Sequence, residues 1–323
     1  MNEPDISAII CTYNRSNILE GAIESLIDQT IDKNKFEIII IDNNSSDNTH
    51  EVVKKFEKYS NVRYVFESEQ GLAFARNRGY IEAKGRYIAY IDDDAKAESD
   101  WIENIYAIIQ CNNPPPLIIG GPIYPFYLTK KPEWYLDEYE IRTWGKEPRY
   151  LNIGEYLSGS NMIFSKEILE EFGGFDTKLG VVGGKLNLGE ESSLFNKIWE
   201  KYGNTKIGFY SPDLKVYHLV PDEKMTLHYF FKRRFMAGQS NLHIKYRPLN
   251  VIKKIFICVG YGGLIAYKSF IAILKLPFYR KYQNWIVECL DPVIFGTGII
   301  FECLGFHMSF EQYDLSDVKH DQS

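Results

Sequence analysis

Short apolar runs alternate with amphipathic segments over the first 120 residues, and this alternation constrains the fold more than any other feature. Four runs, at residues 6–11, 36–41, 62–66 and 87–91, have the length and the isoleucine, valine and tyrosine content of buried strands. The segments between them place apolar residues at helical spacing. Strands and helices in this order predict an α/β fold, with a mostly parallel central sheet flanked by helices.

The second part of the chain is less regular. Residues 114–154 are rich in proline, tyrosine and tryptophan and favour a long, partly ordered loop. Further strands are expected at 158–164, 206–210 and 215–220, and helices at 166–172 and 190–202. From residue 224 the sequence becomes apolar and basic, with twelve Lys or Arg and no Asp or Glu between residues 224 and 287. We therefore expect one domain at 1–223 and a C-terminal helical extension at 224–323.

Composition excludes several classes of protein. Hydrophobic residues make up 45% of the chain and charged residues 25%, so a disordered or fibrous chain is excluded. The net charge of −6 argues against a general nucleic-acid binder. Five separated cysteines without a C-x-x-C motif argue against a disulfide framework or a zinc knuckle. The N-terminal MNEPDISAII lacks the pattern of a signal peptide, so we expect folding to begin in the cytoplasm.

Three consecutive aspartates, Asp92, Asp93 and Asp94, follow the fourth predicted strand. Adjacent carboxylates repel one another unless a cation or solvent compensates them. Asp92 and Asp94 flank one residue and can project toward the same side, where a hard divalent ion such as Mg²⁺ or Mn²⁺ accepts carboxylate and phosphate oxygens. The alternative is a solvated acidic turn before the next helix.

Polar residues also follow the first two strands. A planar base requires an apolar or aromatic wall and an acceptor for its imide N–H, which Tyr13 and Asp42 can supply. The alternative is ordinary loop chemistry and helix capping, for which Asp47 suffices. Because ligands bind beyond the carboxyl ends of parallel strands, these residues and the aspartates are expected at the same edge of the sheet.

Two further charged groups lie on predicted helices. Arg76 follows Gly71 by about one helical turn and can contact a diphosphate or a carboxylate of the aspartate cluster, although a single helical arginine is usually a surface residue. Glu190 and Glu191 begin a helix, where carboxylates also interact favourably with the helix dipole.

Seven segments, in this order, resemble glycosyltransferase family 2, whose members have the GT-A fold. They are SAIICTYNR, IIIIDNNSSDNT, GLAFARNRG, YIAYIDDD, SGSNMIF, EEFGGFD and GEESSLFNKI. The resemblance covers about residues 5–220, and it implies a donor half at about 1–120 and an acceptor half at about 121–223.

The resemblance also implies roles for individual residues. Those expected to bind the nucleotide-sugar are Thr12, Tyr13, Arg15, Asp42, Arg76, Asp92 and Asp93. Those expected to hold the metal are Asp94, Asp92 and His218. The family usually has Glu-Asp where this chain has Glu190 and Glu191, and the second acid is the catalytic base, so Glu191 is favoured over Glu190. A diphosphate contact by Arg234 is a further, weaker expectation.

The function implied is a Mn²⁺- or Mg²⁺-dependent, inverting transfer from a nucleotide-diphosphate sugar, with UDP the default, to a saccharide or lipid-linked saccharide. Trp134 and Trp144, in the aromatic segment, are expected on the acceptor side, where they can stack on sugar faces, and packing against the domain is the alternative. The alternatives are a sugar-phosphate nucleotidyltransferase and an inactive sugar-binding protein of the same fold. The first needs a glycine-rich, basic loop after the first strand, which CTYNRSN is not, and the retained DDD and GEE motifs argue against the second.

The apolar tail suggests a membrane surface rather than nucleic acid as a partner. Residues 255–274 hold one charge, Lys268, and are just long enough to span a bilayer, but three glycines make a poor span. Basic residues flank the run on both sides: Lys253, Lys254, Lys275, Arg280 and Lys281. This pattern favours helices lying on an anionic membrane, at the inner face of the cell membrane. The alternative is a helical subdomain packed on the catalytic core or on a partner subunit.

Overall fold

The computed structural model describes residues 3–179, 189–203, 206–245, 250–306 and 308, and the side chains of all of these except 240 and 242–245. Within these ranges the chain forms two compact units. The first comprises residues 3–128 and Glu140–Leu219, and the second comprises Thr129–Tyr139 and the residues from Val220 onward. The boundary expected at residue 223 stays a prediction, since the units are defined by compactness alone.

The elements of the first unit follow the predicted alternation. The strands are β1 (Ile6–Thr12), β2 (Phe36–Asp42), β3 (Val62–Phe66), β4 (Tyr87–Asp92), β5 (Ala95–Ala97), β6 (Ile118–Gly120), β7 (Ile123–Phe126), β8 (Arg149–Tyr150), β9 (Met162–Ser165), β10 (Gly208–Tyr210) and β11 (Val216–Leu219). The helices are α1 (Ser16–Ile27), α2 (Thr49–Lys54), α3 (Leu72–Glu82), α4 (Trp101–Cys111), α5 (Lys166–Phe172) and α6 (Glu190–Tyr202). The unit's short 3₁₀ turns include Gly159–Asn161.

A large sheet in the order β3-β2-β1-β4-β9-β6-β10-β8 forms the centre of this unit. β1 pairs in parallel with β2 and β4, and β2 pairs in parallel with β3, while β9 runs antiparallel to β4 and β6. The registers place Thr12 beside Asp42, and Cys11 beside Asp92. The predicted mostly parallel α/β sheet is confirmed, and its strand ends meet at one edge.

Both faces of the sheet are covered, which explains why its central strands are continuously apolar. Ile38 and Ile40 of β2 pack on the face that carries α1, α2 and α4. Ile39 and Ile41 pack on the opposite face with α3, α5 and α6. Successive residues of a strand point to opposite faces, so an alternating pattern would have left one face exposed to water.

The segment 114–154, which the sequence predicts as a loop, contains three short strands. β6 and β8 extend the central sheet, and β7 joins a second sheet in the order β5-β11-β7. The prediction is wrong here because these strands are only two to four residues long and are flanked or interrupted by prolines. The strand expected at 158–164 also begins later, at Met162, after the 3₁₀ turn Gly159–Asn161.

The second unit is helical, with α7 (Leu227–Lys245), α8 (Val251–Lys275) and α9 (Tyr282–Cys303). α7 and α9 approach closely at two glycines, because a Cβ on Gly238 would lie 2.1 Å from the Phe295 carbonyl oxygen and one on Gly298 2.1 Å from that of Phe235. α8 has a single buried residue, Ala272.

Among the described residues, one helical stretch, Val251–Phe278, is long and apolar enough to cross a membrane.

Candidate active site

The ends of β1 and β2 bring the predicted base-binding residues to neighbouring positions. Asp42 is buried, and its carboxylate accepts hydrogen bonds from the Ser45 backbone N–H at 2.9 Å and from the Tyr64 hydroxyl at 2.7 Å. Thr12, its partner in the sheet, is buried as well. Tyr13 is exposed, and its hydroxyl accepts from Gln70 at 3.0 Å. A buried carboxylate beside an exposed aromatic ring therefore lies at this edge.

Helix capping does not require Asp42. Asp47 accepts hydrogen bonds from the backbone N–H of Ser16 at 2.9 Å and of Thr49 at 3.1 Å, which lie in the first turns of α1 and α2. These bonds hold the pKa of Asp47 below its usual value, against the effect of burial. Capping therefore does not explain a buried carboxylate at residue 42.

Arg15 lies against the aspartate cluster. Its Nη1 is 2.7 Å from Asp93 Oδ1 and 3.3 Å from Asp94 Oδ2. Burial raises the pKa of Asp93 to about 6, with Arg15 opposing the shift and Asp94 adding to it. Arg15 thus compensates part of the negative charge that three adjacent aspartates create.

Asp92, Asp94 and His218 bring three ligand atoms together. One atom from each side chain lies within 4.8 Å of the other two. His218 comes from β11, which pairs with β5 just after the aspartates, so the second sheet delivers the imidazole to the end of the first. Nε2 of His218 is 3.2 Å from Asp94 Oδ1 and 3.9 Å from Asp92 Oδ2.

The hydrogen bonding of His218 orients its ring for a cation. Nδ1 is 3.0 Å from the carbonyl oxygen of Leu219, which can only accept, so Nδ1 carries the proton of the neutral ring. Nε2 then presents a lone pair toward two carboxylates. A proton on Nε2 or a metal ion between these groups removes the repulsion between the lone pair and the carboxylate oxygens. Histidines that bind metals typically donate their other ring N–H to a carbonyl oxygen in this way.

The SGSN segment positions this cluster, a role that sequence reasoning missed. The Ser160 hydroxyl donates a hydrogen bond to Asp92 Oδ2. The buried Asn161 amide donates to the carbonyl oxygens of Pro122 at 3.0 Å and Leu214 at 2.7 Å, and accepts from Trp101 Nε1 at 3.1 Å. The sequence pattern includes this string in the strand expected at 158–164, and its small polar residues are the one local signal that sets it apart.

Arg76 connects the aspartate cluster to the two glutamates. Its guanidinium is only 3% exposed and lies 3.0 Å from Glu190 Oε1, 3.2 Å from Glu191 Oε1 and 3.8 Å from Asp92 Oδ1. Burial alone would lower the pKa of Arg76, but these carboxylates outweigh that effect and hold the pKa above its usual value. The interpretation of Arg76 as a surface residue is excluded, and its contacts are with carboxylates.

The two glutamates differ in accessibility. Glu190 is 6% exposed, and its second oxygen accepts from the Gly189 backbone N–H at 3.2 Å. Glu191 is 25% exposed, and burial, followed by the charge of Glu190, raises its pKa while Arg76 opposes the shift. Glu191 is therefore the carboxylate with both access and a raised proton affinity, as a general base requires.

Gly159 is fitted against the Arg76–Glu191 pair. A Cβ at this position would lie 2.1 Å from Arg76 Nη2 and 2.5 Å from Glu191 Oε1. No side chain is accommodated at that distance without moving the pair, so the glycine permits the close approach of the SGSN turn to the carboxylates.

The sequence model of glycosyl transferase family 2 matches residues 7–173, which is more than half of the chain and includes the aspartates and Arg76. The chain belongs to glycosyltransferase family 2. It is therefore an enzyme that transfers sugars. The glutamates and His218 lie after the matched residues, and their roles stay predictions.

Two curated relatives and one solved structure show how far this likeness extends. The chain is 28% identical to a glucosyl-dolichyl phosphate glucuronosyltransferase of Haloferax volcanii over 73% of its own length and 75% of the relative's. It is 25% identical to a cholesterol galactosyltransferase of Borreliella burgdorferi over 94% and 87%. A mannosyltransferase of Pyrobaculum calidifontis, solved with GDP-Man and Mn²⁺, superposes with a TM-score of 0.60 at 18% identity, covering 93% and 88% of the two chains. The GT-A fold expected for this glycosyltransferase is confirmed.

Arg234, the weaker candidate for a diphosphate contact, lies on α7 of the second unit. Its guanidinium Nη2 is 2.9 Å from Asp291 Oδ2 on α9, and its charge lies over the Phe295 ring. These contacts connect α7 to α9 within the helical unit, and the diphosphate contact of Arg234 stays a prediction.

Proposed function

We propose that this glycosyltransferase uses Mn²⁺ or Mg²⁺ to move a sugar from a nucleotide-diphosphate sugar, UDP-linked by default, to a hydroxyl of a saccharide or lipid-linked saccharide, with inversion. The observation that carries the proposal is the convergence of Asp92, Asp94 and His218, with ligand atoms within 4.8 Å, beside the buried Arg76 that pairs with both glutamates. A metal cluster and a base at one edge of the sheet are what this transfer requires.

The residues present fit a divalent ion. Two carboxylates and an imidazole suit Mn²⁺, and carboxylates alone suit Mg²⁺. A bound ion neutralises charge on the diphosphate as it leaves. Asp94, Asp92 and His218 would hold it, and Ser160 keeps Asp92 oriented toward the cluster.

We assign the role of general base to Glu191. Its carboxylate takes the proton of the acceptor hydroxyl, whose oxygen bonds to the anomeric carbon as the bond to the diphosphate oxygen breaks. A single displacement of this kind inverts the anomeric centre. Arg76, 3.2 Å from Glu191, orients the carboxylate, and Glu190 keeps Arg76 in place.

The nucleoside is assigned to the edge formed by β1 and β2. Asp42 is held by Ser45 and Tyr64 in a fixed orientation, so its carboxylate is preorganised to accept an N–H from a base. Tyr13, exposed at the same edge, offers an aromatic wall. Arg15 pairs with Asp93 beside the proposed metal ligand Asp94, and we assign the ribose and the diphosphate to this region.

A lipid-linked acceptor at the membrane surface is supported by two observations. The named substrates of the two curated relatives are a dolichyl phosphate sugar and cholesterol, both lipids. The helix α8 leaves large apolar side chains exposed, with Phe256 at 72%, between basic residues at each end. We assign the enzyme to the inner face of the cell membrane, with α8 lying on it.

The test is a donor screen on the full chain. UDP- and GDP-linked sugars are incubated with and without Mn²⁺, and released nucleoside diphosphate is measured. The proposal predicts release of UDP or GDP from one donor only when the metal is present. Release of pyrophosphate from a nucleoside triphosphate and a sugar phosphate would instead identify a nucleotidyltransferase, and donor binding without turnover at any acceptor would identify an inactive binding protein.

A further inference from the structure

A cavity of about 260 Å³ lies in the first unit beside the predicted catalytic carboxylate. It is formed by the start of β7, by residues 141–144 and by the segment that leads into the SGSN turn, and its lining includes Arg142, Thr143, Trp144, Tyr156 and Ser158. A volume of this size holds about one sugar ring. Neither the donor site nor the metal cluster uses these residues.

The aromatic wall of the cavity is held in place before any ligand arrives. The Trp144 indole N–H donates to the Tyr156 carbonyl oxygen at 3.0 Å. The guanidinium of Arg149 lies 5.9 Å from the Trp144 ring centre, and Arg149 is itself fixed by Glu155 at 2.9 Å. Trp144 still keeps 36% of its surface exposed, and Tyr156 keeps 48%. Fixed, exposed aromatic rings are suited to the apolar face of a sugar.

Arg142 supplies the one charge among the residues that line the cavity. Two hydrogen bonds hold its backbone in place. The Arg142 N–H donates to the Ile123 carbonyl oxygen at 3.0 Å, and the Arg142 carbonyl oxygen accepts from the Ile123 N–H at 2.9 Å. Its guanidinium makes no ion pair within the described part of the chain, unlike Arg15, Arg76 and Arg149. The backbone of Arg142 is held in place, its side chain is exposed, and no other residue that lines the cavity carries a charge, so its guanidinium is available to an anion.

The cavity adjoins the reaction centre directly. Its lining ends at Ser158, and the next residue, Gly159, abuts Arg76 and Glu191. The positive charge of Arg142 is close enough to Glu191 to lower the pKa of that carboxyl, against the larger effect of burial. A sugar in the cavity is therefore within reach of the base.

We propose that this cavity binds the acceptor and that it selects a sugar unit bearing a negative charge, which Arg142 pairs while Trp144 stacks on the ring. The anionic group is a carboxylate on the sugar or a phosphate attached to it; the recognising chemistry is the same. This inference rests on the proposed function, because it names the acceptor class of the same site.

The test measures acceptor use at saturating donor and metal with three probes: methyl glucuronide, which carries a carboxylate, glucose 1-phosphate, which carries a phosphate, and neutral methyl glucoside. The wild type is expected to show a kcat/KM at least about tenfold higher for one anionic probe than for the neutral one, as charged hydrogen bonds allow. Which anionic probe is preferred tells the carboxylate source from the phosphate source. Equal use of all three, or a preference for the neutral sugar, overturns the proposal.

Variants separate direct pairing from a structural role. The ratio of kcat/KM for the anionic probe to kcat/KM for methyl glucoside should fall in the order wild type, Arg142→Lys, Arg142→Gln and Arg142→Glu, because the ratio cancels any effect of the Arg142 charge on Glu191. Arg86→Gln is the matched control, since that arginine is 68% exposed at the other end of β4. An equal loss for charged and neutral probes would show that Arg142 only supports the fold, and would also overturn the proposal.

Measuring donor binding distinguishes a failure of the acceptor assignment from a failure of the proposed function. A thermal shift on adding UDP or GDP with Mn²⁺ is measured for every variant. If the wild type shows no shift and no turnover, the proposed function itself fails. If the shift is present in wild type and Arg142→Gln alike but no charge preference is seen, only the acceptor assignment fails.

Discussion

At the scale of single residues, Arg76 links the two halves of the chemistry. It is buried, and it lies within 3.8 Å of Asp92 on one side and 3.2 Å of Glu191 on the other. A buried arginine is stable only when carboxylates compensate its charge, and its own charge in turn favours their ionised forms. The positions of Asp92 and Glu191 are therefore coupled through one side chain.

The accessibility of the glutamates predicts which one is the base. Glu191→Gln keeps the size and hydrogen bonding of the side chain but cannot take a proton, so kcat should fall by about 10²-fold or more while donor affinity is retained. Single-turnover kinetics with a saturating donor measures this. Glu190→Gln is the matched control, and the assignment is wrong if that variant alone shows the kinetic loss.

The close approach of Gly159 predicts a variant that damages the site more than the fold. In Gly159→Ala the added Cβ displaces Arg76 and Glu191, so activity should fall by about tenfold or more. Overpacking of this kind costs about 1–3 kcal/mol in the free energy of unfolding. The measurements are kcat/KM and thermal melting, with Gly21→Ala on α1 as the control, where the Cβ meets only the flexible end of Lys96. Full activity in Gly159→Ala would contradict the assigned position of the base.

At the scale of elements, the sequence predicted the long strands and the short strands β9, β10 and β11, but it missed the short strands β5 to β8. β1, β2 and β4 are six or seven residues long and buried on both faces, so their apolar runs stand out. β6 and β7 are three or four residues long and are held by pairing partners distant in sequence, which no local pattern reveals.

Some residues of the candidate site can be recognised from the local sequence, whereas others are placed by pairing between segments that are distant in sequence. The aspartates end a recognisable strand, and the register of parallel strands explains why Asp42 and Asp92 reach one edge. The arrival of His218 depends on the pairing of β11 with β5, and the role of Ser160 depends on the turn before β9. Their roles in catalysis stay predictions.

The close approach of α7 and α9 predicts which positions of the helical unit tolerate substitution least. Gly238→Ala or Gly298→Ala places a methyl group against a backbone carbonyl, which cannot move aside as a side chain can. Each should lower the free energy of unfolding by about 1–3 kcal/mol. Gly260→Ala, on α8 with open space around it, should be neutral or stabilising by up to about 1 kcal/mol. Thermal melting of the three variants compares them, and equal melting temperatures would show that the helices do not pack as described.

At the scale of the whole molecule, α8 makes the chain a candidate for the membrane surface. The full-length protein should sediment with vesicles containing anionic lipid and be partly released by high salt or carbonate. Phe256→Glu combined with Phe270→Glu should abolish sedimentation, since both side chains are exposed on α8. Ile81→Glu, at an exposed apolar residue of α3, is the control. Complete solubility with no vesicle binding would reject the membrane assignment, and resistance to carbonate would favour a spanning helix.

The central claim is that Asp92, Asp94 and His218 hold a divalent ion that the nucleotide-sugar donor needs. Calorimetric titration of UDP and GDP, with Mn²⁺ or with a chelator, tests it most directly on the wild type, on Asp94→Ala and on the exposed control Asp28→Ala. We predict that Mn²⁺ tightens the binding of one nucleotide in the wild type and in the control. Asp94→Ala should lose this metal-dependent part of nucleotide binding and all turnover, while its melting temperature stays normal. Mn²⁺-dependent binding and near-normal turnover in Asp94→Ala would contradict it.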